Sequence, residues 1–550
     1  MNIFAGKFAA FSGLLALLLL APAAQAQVKG DCGTIVIPTG LGITSSADIT
    51  SFNPLLVDSL YNQQAASMMY LGLIWLDGST GQIDWSRSLA SSITTPDEGT
   101  TYNVTLRPWH WSDGVPVTTT DIAYTFKLIK ELGPTYVGYG AGGMPDIIKS
   151  LNIISPTQFQ VVLKRRVNST WFIYNGLGQL LPLPEHSWGK YSLDQIFQAQ
   201  SSPAFFNVID GPLRTVRLDV GLDLIMAPNP AYEGPKMHFQ RLILKFLESD
   251  GAEVQGVESG DLDMANAPVA LWDAVQDLPG IRLVTLPPAD SYNESQLNLH
   301  NPKVAFLQDV RVRDAIADAI DEAGMVQLID HGLGEEIYGP VPPEPPTFLS
   351  PEMKAGHYPV GYDPAKARAL LKEAGYTPGP DGIMQKNGVK LSFVYLMLSG
   401  DAMIEQMTEF MQSDLAKVGI QMKVREIEFN QLLALLNNPN SDWQAAGLGQ
   451  DLGGYPTGED LFKTNSFENS GGYSDATMDR LIDQSTDTPG MTGLYAYENY
   501  ASAQQPVIFM ETAQVTLLVR KNLQGAANFV DAYNNYYPDQ LYCTPEGPHA

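Results

Sequence analysis

The stretch MIEQMTEFMQSDLAKVGIQMKVR, residues 403–425, decides the fold class. Its first part, Met403 to Val418, carries apolar side chains at helical spacing and stops at Gly419. Ile420, Met422 and Val424 then alternate with Gln421, Lys423 and Arg425, the two-residue period of a half-buried strand. A helix running directly into a strand predicts α/β architecture. Working outward, Asp363 is placed to cap a short helix whose first position is Pro364, and Gly375 stands just past its end. Another helix starts near Asp309, with Ala315, Ile316, Ala319 and Ile320 on one face, while residues 102–106 and 158–163 read as strands. Proline marks breaks at 181–184, at 287–288 and at 340–346, the last an extended surface loop. Internal repeats and low-complexity tracts are absent.

A chain of 550 residues suggests about three domains, and 44% apolar composition is ample for several cores. With 33 basic against 60 acidic residues the net charge is -27, so phosphate backbones and anionic lipid surfaces would meet their own sign. Nucleic acid and membrane surfaces are therefore excluded as expected partners. Residues 1–26 hold one charge, Lys7, then an apolar run and the small-residue sequence Ala24-Gln25-Ala26. This reads as a secretory signal peptide cut after Ala26, without the cysteine that a lipoprotein signal needs. Later stretches fall short of a membrane span, so the expectation is an exported, periplasmic protein.

Both cysteines, Cys32 and Cys543, lie near the ends of the mature chain, where an oxidising compartment favours their pairing. Such a bridge would stabilise the fold by roughly 6 kcal/mol in the chain-entropy model. Two separate buried thiols are the other reading.

Catalytic signals are weak. Gly138-Tyr139-Gly140-Ala141-Gly142-Gly143 has the letters of a dinucleotide fingerprint, but Met144-Pro145 follows where a helix should begin. The seven histidines are scattered, none four residues from another, so no helical two-histidine metal site is expected. A nucleophile elbow and a phosphate loop are missing. The expectation is a non-enzyme without metal or cofactor.

Several ordered segments resemble the bacterial extracellular solute-binding proteins of family 5, the oligopeptide-, dipeptide- and nickel-binding components of ABC importers. The stretch Leu106-Arg107-Pro108-Trp109-His110-Trp111-Ser112-Asp113-Gly114 is similar to the family's signature, in which Trp-Ser-Asp-Gly makes a turn between a strand and a helix. Asp210-Gly211-Pro212, Asn229-Pro230-Ala231-Tyr232, Ser259-Gly260-Asp261-Leu262-Asp263 and Asp309-Val310-Arg311-Val312-Arg313 resemble further family motifs in order. The resemblance implies a two-lobed periplasmic binding protein, class II-like and of cluster C, with an additional domain. Domain I would be discontinuous, 27–70 with 185–287 and 506–550; domain II would be 71–184 and domain III 288–505. A monomer that delivers its solute to the membrane subunits of an ABC permease is the implied partner scheme.

The same resemblance points to site residues. Asp58, Ser59 and Leu60 fall where peptide binders run a strand along the ligand backbone. Ala446-Gly447-Leu448-Gly449-Gln450-Asp451 is similar to the strand whose aspartate neutralises a peptide's α-ammonium, which places Asp451 in that role. Leu448 stands where the family has tryptophan, Gly453-Gly454-Tyr455-Pro456 replaces the usual acidic residue and proline, and Ala445 occupies the place of a carboxylate-binding arginine. Phe429, Tyr139, Tyr292 and Trp443 are the aromatic candidates for ligand contact. A peptide-like solute leads; an oligosaccharide or a metal chelate on the same scaffold, and more remotely a secreted hydrolase, are the alternatives.

Overall fold

Helix Ala402–Lys417 begins where the Asp401 carboxylate accepts the backbone N–H groups of Met403 (2.8 Å) and Ile404 (3.2 Å). It ends one turn before strand Gln421–Ile427, and Gly419 supplies the positive φ of 85° that turns the chain between them. The strand pairs in parallel with Ser392–Leu398, so helix and strand form the crossover expected from the opening sequence. This computed structural model describes residues 30–42, 49–56, 59–247, 249–438, 440–466 and 468–544. The expected leader, residues 1–26, and Asp58 lie outside these residues.

Of eight sheets among the described residues, four carry the main architecture. The first joins Thr34–Pro38, Arg241–Lys245, Asp223–Pro228 and Leu213–Asp219. The second, antiparallel throughout, is built from Ala90–Thr94, Thr101–Leu106, Gln158–Leu163 and Ile148–Ser155. A three-stranded sheet places Thr516–Arg520 between Met264–Asn266 and Ile281–Thr285. The five-stranded sheet runs Gln421–Ile427, Ser392–Leu398, Ala445–Asp451, Ser291–Leu297 and Ile508–Met510.

The recognisable motifs have structural jobs. In the Trp-Ser-Asp-Gly turn, Gly114 N–H donates to Trp111 O (2.8 Å) and Trp111 N–H to Val115 O (2.8 Å), while Gly114 takes φ 86°. Asp309 caps helix Val310–Ala319, and Asp363 caps Pro364–Glu373 with proline in its first turn. Arg313, 3% exposed, meets no carboxylate; its guanidinium donates to the carbonyls of Leu307 (2.8 Å), Gln504 (2.7 Å) and Gln505 (2.8 Å). A buried cation at the C-terminal end of helix Thr492–Gln504 is held by the helix dipole and its orphan carbonyls. Residues 340–346 form a loop without helix or strand, but Pro340, Val341, Pro342 and Pro345 are buried, so it is packed into the molecule and is not the surface loop expected.

Cys32 and Cys543 are bonded, across a sequence separation of 511. Gly30 and Cys543 exchange both backbone hydrogen bonds (2.9 and 3.0 Å), so a two-residue bridge fixes the two chain ends beside the disulfide. Both thiols should resist alkylation until the protein is unfolded and reduced. Replacing both cysteines by serine should lower stability by about 2 to 5 kcal/mol in a denaturant titration. An unchanged midpoint would mean that the paired backbone alone holds the ends.

Candidate functional site

The two central strands of the five-stranded sheet, Ser291–Leu297 and Ala445–Asp451, pair antiparallel with Ser291 opposite Asp451 and Leu297 opposite Ala445. Asp451 therefore stands at an open end of the sheet while Ala445 is fully buried at the other. Residues opposite one another share a face. Leu448, Glu294, Ala446 and Gln296 lie on the face covered by helix Phe429–Leu436, where Leu432, Leu436, Trp443 and Leu396 form a separate apolar cluster.

Asp451 is exposed to solvent and its carboxylate has no hydrogen-bond or ion partner among the described residues. Its surroundings are nonetheless crowded with protein, and that desolvation raises its pKa. Asp290, one residue before the partner strand, is 8% exposed and its carboxyl has no hydrogen bond either. Burial, then the nearby charge of Asp451, pushes Asp290 up to about 8. Its backbone is fixed on both sides, because Asp290 N–H donates to Ala532 O (2.8 Å) and Asp290 O accepts Leu452 N–H (3.1 Å).

Beside Asp290, whose N–H donates to Ala532 O, runs the segment 531–537. The Asp531 carboxylate accepts the N–H groups of Tyr533 (2.9 Å) and Asn535 (3.0 Å) and the Tyr537 hydroxyl (2.6 Å), which in turn accepts Trp75 Nε1–H (2.7 Å). The Tyr533 hydroxyl oxygen is buried without a partner. Beyond Asp451, the sequence Gly453-Gly454-Tyr455-Pro456 docks on the turn Phe172–Gly176. Tyr455 N–H donates to Asn175 Oδ1 (2.9 Å), and Asn175 Nδ2 donates to Tyr455 O (2.9 Å). A Cβ at 454 would come within 2.5 Å of Leu76 Cδ1, so glycine permits the approach. The departure from the family pattern after Asp451 thus builds a contact between distant parts of the chain.

The other expected site residues are spread out. Ser59 caps helix Leu60–Met69 through Asn62 N–H (3.3 Å) and Leu60 opens it, so these two start a helix instead of a strand; serine at an N-cap satisfies a donor that an extended chain would leave to the ligand. Trp443 and Tyr292 are packed away at 2% and 1% exposure, Tyr292 edge-on to Phe509 with ring centroids 5.3 Å apart. Phe429 is half exposed at the start of its helix. Tyr139 is 39% exposed and donates to Asp146 Oδ2 (2.8 Å), on a loop that packs against residues 175–179. Asp290, Tyr533 and Asp531 escaped sequence reasoning; the break at Pro287-Pro288 is the one local signal near Asp290.

Two connections pass between the three-stranded and five-stranded sheets, residues 286–290 and 511–515, and they touch where Leu286 N–H donates to Val515 O (2.8 Å). Glu511 on the second is fully buried with both carboxylate oxygens unpaired by hydrogen-bond geometry. Burial raises it well above the usual range, and the charges of Asp330 and Glu322 add to the effect. Burial also raises Asp330 and Glu322.

Two α/β bodies joined by narrow crossings, with unpaired carboxyl groups at the junction, have the arrangement of a receptor that encloses a small solute. The sequence matches the bacterial extracellular solute-binding proteins, family 5 Middle, over residues 85–470, and the chain belongs to that family. It is 25% identical over 493 residues to the oligopeptide-binding protein AppA of Bacillus subtilis, covering 86% of this chain and 87% of the relative. It is equally 25% identical over 535 residues to the Probable D,D-dipeptide-binding periplasmic protein DdpA of Escherichia coli, covering 94% of each. Among solved structures, AppA in complex with a nonapeptide superposes with a TM-score of 0.72 at 22% identity, over 94% of this chain and 100% of that one. NikA from Brucella suis in complex with Fe(III)-EDTA gives 0.76 at 18%, over 93% and 100%. The fold is the two-lobed α/β architecture of these binding proteins.

The acids at the second crossing set a pH dependence. Folded Glu511 keeps its proton to higher pH than an unfolded glutamate, so its stabilising contribution is full in acid and is lost as pH rises from about 4.5 through neutrality. Scanning calorimetry at pH 8 should therefore find Glu511→Gln melting above the wild type by about 2 °C or more, with the difference shrinking at pH 5. A lower melting temperature at both pH values would show that the carboxyl makes an interaction glutamine cannot replace.

Proposed function

We propose that this chain is the solute-capturing component of an ABC importer, holding a peptide-like solute between its lobes and passing it to membrane permease subunits without chemistry. The observation that supports the reading is the Asp451 carboxylate, which is exposed at the end of the central strand pair, has no hydrogen-bond or ion partner among the described residues, and is raised in pKa by the protein around it. An ammonium group supplies what such a carboxylate lacks, a charge-assisted hydrogen bond. Relatives named for oligopeptides and for D,D-dipeptides support the same ligand class. An acidic chain adds a weak long-range attraction for cations.

The division into domain I (27–70, 185–287 and 506–550), domain II (71–184) and domain III (288–505) keeps three of the four sheets each in one body; the five-stranded sheet takes Ile508–Met510 from beyond residue 505, so the boundary between domains III and I would fall after that strand. No helix among the described residues is long and apolar enough to cross a membrane. Delivery to the periplasm after cleavage at Ala26, action as a monomer and absence of turnover complete the proposal. A metal chelate is the second reading, favoured by the resemblance to NikA with Fe(III)-EDTA. It is the weaker one, because the described residues include no group of three or more metal-ligating side chains.

A thermal-shift screen of short peptides should find binders that stabilise the protein by about 2.7 kcal/mol at one hundred times their dissociation constant. Against such a peptide, Asp451→Asn should keep the fold and cost about 2 to 4 kcal/mol of binding in calorimetry. N-acetylation of the peptide should cost a similar amount with wild type and little more with the variant, because both changes break one contact. Wild-type affinity in Asp451→Asn would move the assignment to neutral solutes.

A further inference from the structure

The antiparallel sheet of residues 90–163 and the five-stranded sheet of residues 291–510 are not joined by the chain directly. The polypeptide leaves the first at Leu163 and enters the second at Ser291, after passing through two other sheets. Where their bodies touch, the contact is non-covalent, and the fully buried Asn168 makes four bonds across it. Its Oδ1 accepts Thr170 N–H (3.0 Å) and caps helix Ser169–Trp171, a task that needs an acceptor only. The two amide protons go to the other body, shared among Ser485 O (2.9 Å), Gly490 O (3.0 Å) and the Tyr455 hydroxyl (3.0 Å). Asn168 N–H adds a bond to Thr486 O (2.7 Å). Ser485 and Thr486 lie in the last turn of helix Ala476–Asp487, whose final carbonyls have no partner within the helix. One asparagine thus opens a helix in its own body and closes a helix in the other. Asn175 acts beside it through the two bonds with Tyr455 described above, and Arg165 pairs with Asp487 at the exposed rim.

We propose that Asn168 and Asn175 form a clasp that locks the antiparallel-sheet body against the body carrying Asp451 around an enclosed solute, and that this clasp sets how slowly any solute leaves. The inference rests on the solute-capturing reading given above and goes beyond it by assigning residues that hold the bodies together. They are positioning residues. Tyr455, which both asparagines grip, stands four residues after Asp451, so the clasp fixes the chain at the end of the strand from which Asp451 projects. Opening it leaves buried donors and carbonyls unpaired until water reaches them, which favours one fixed approach of the two bodies. Every bond in the clasp joins protein atoms, so its contribution is the same for every solute, whereas a contact residue such as Asp451 discriminates between solutes.

The test uses Asn168→Asp, which keeps the acceptor for Thr170 N–H and replaces the two amide protons by a carboxylate facing the Ser485 and Gly490 carbonyls. Asn175→Ala, at a half-buried position, serves beside it and stands alone if the first variant does not fold. Stopped-flow binding of the tripeptides Ala-Ala-Ala and Phe-Ala-Ala should show dissociation about tenfold or more faster in the variants, by the same factor for both peptides, with association unchanged. A loss of stability alone would change neither rate of the folded protein. Amide-resolved hydrogen exchange with peptide bound should find the Tyr455 N–H about tenfold or more faster in Asn168→Asp, and the Asn168 N–H likewise in Asn175→Ala, with Val104 N–H in the antiparallel sheet unchanged. Wild-type dissociation rates in the variants, or an effect confined to one peptide, would overturn the clasp while leaving solute capture standing. Should neither peptide bind, hydrogen exchange of the protein alone decides. Protection of the Tyr455 N–H that Asn168→Asp abolishes supports the clasp and faults the peptide reading alone; any other result overturns the clasp.

Discussion

The antiparallel pairing of Ser291–Leu297 with Ala445–Asp451 is the constraint on which the rest of the site depends. Backbone hydrogen bonds in a sheet interior are obligatory, so the register between the strands is fixed by the ladder and by the burial of one face. A one-residue slip of Ser291–Leu297 would turn Glu294 away from the face it shares with Leu448. The packing of helix Phe429–Leu436 over Leu396, Trp443 and Ala446 holds the pair in place.

Most of the architecture was legible because it is local. Asp401 and Gly419 around one helix, Asp363 and Pro364 at another, and the Trp-Ser-Asp-Gly turn each carry their structural cause within a few residues. Resemblance to a family supplied Asp451 and the general scheme of lobes. What stayed hidden depends on contacts between distant parts of the chain. Asp290 is brought beside Leu452 by the strand pairing, and Ala532 reaches it from a third segment near the C-terminal end. The aromatic candidates show the converse: Trp443 and Tyr292 look like ligand platforms in sequence, yet sheet packing consumes both. Ser59 and Leu60, which the resemblance set in a strand along the ligand, instead cap and open a helix, because the serine hydroxyl accepts the Asn62 N–H.

The stretch after Asp451 illustrates how a departure from a family pattern can be a structural device. With two glycines and a tyrosine, the chain approaches Leu76 and Tyr174 closely and exchanges two hydrogen bonds with the Asn175 amide. Phe348 extends the contact, edge-on to both Tyr174 (5.7 Å between centroids) and Tyr455 (5.3 Å). Such a joint ties the chain just beyond Asp451 to a segment that lies elsewhere in the sequence.

The bond between Cys32 and Cys543 turns the polypeptide into a covalent ring that encloses nearly every residue. A ring of this kind is sealed by its last segment: the first cysteine to leave the ribosome waits for almost the entire chain before its partner exists. With Cys32 and Cys543 the only thiols in the sequence, the waiting sulfur has no wrong intramolecular partner to choose. Order of synthesis and cysteine content together make the final link a seal on a finished molecule, and a truncated chain that lacks Cys543 is left carrying a lone thiol by which it can be told from a complete one.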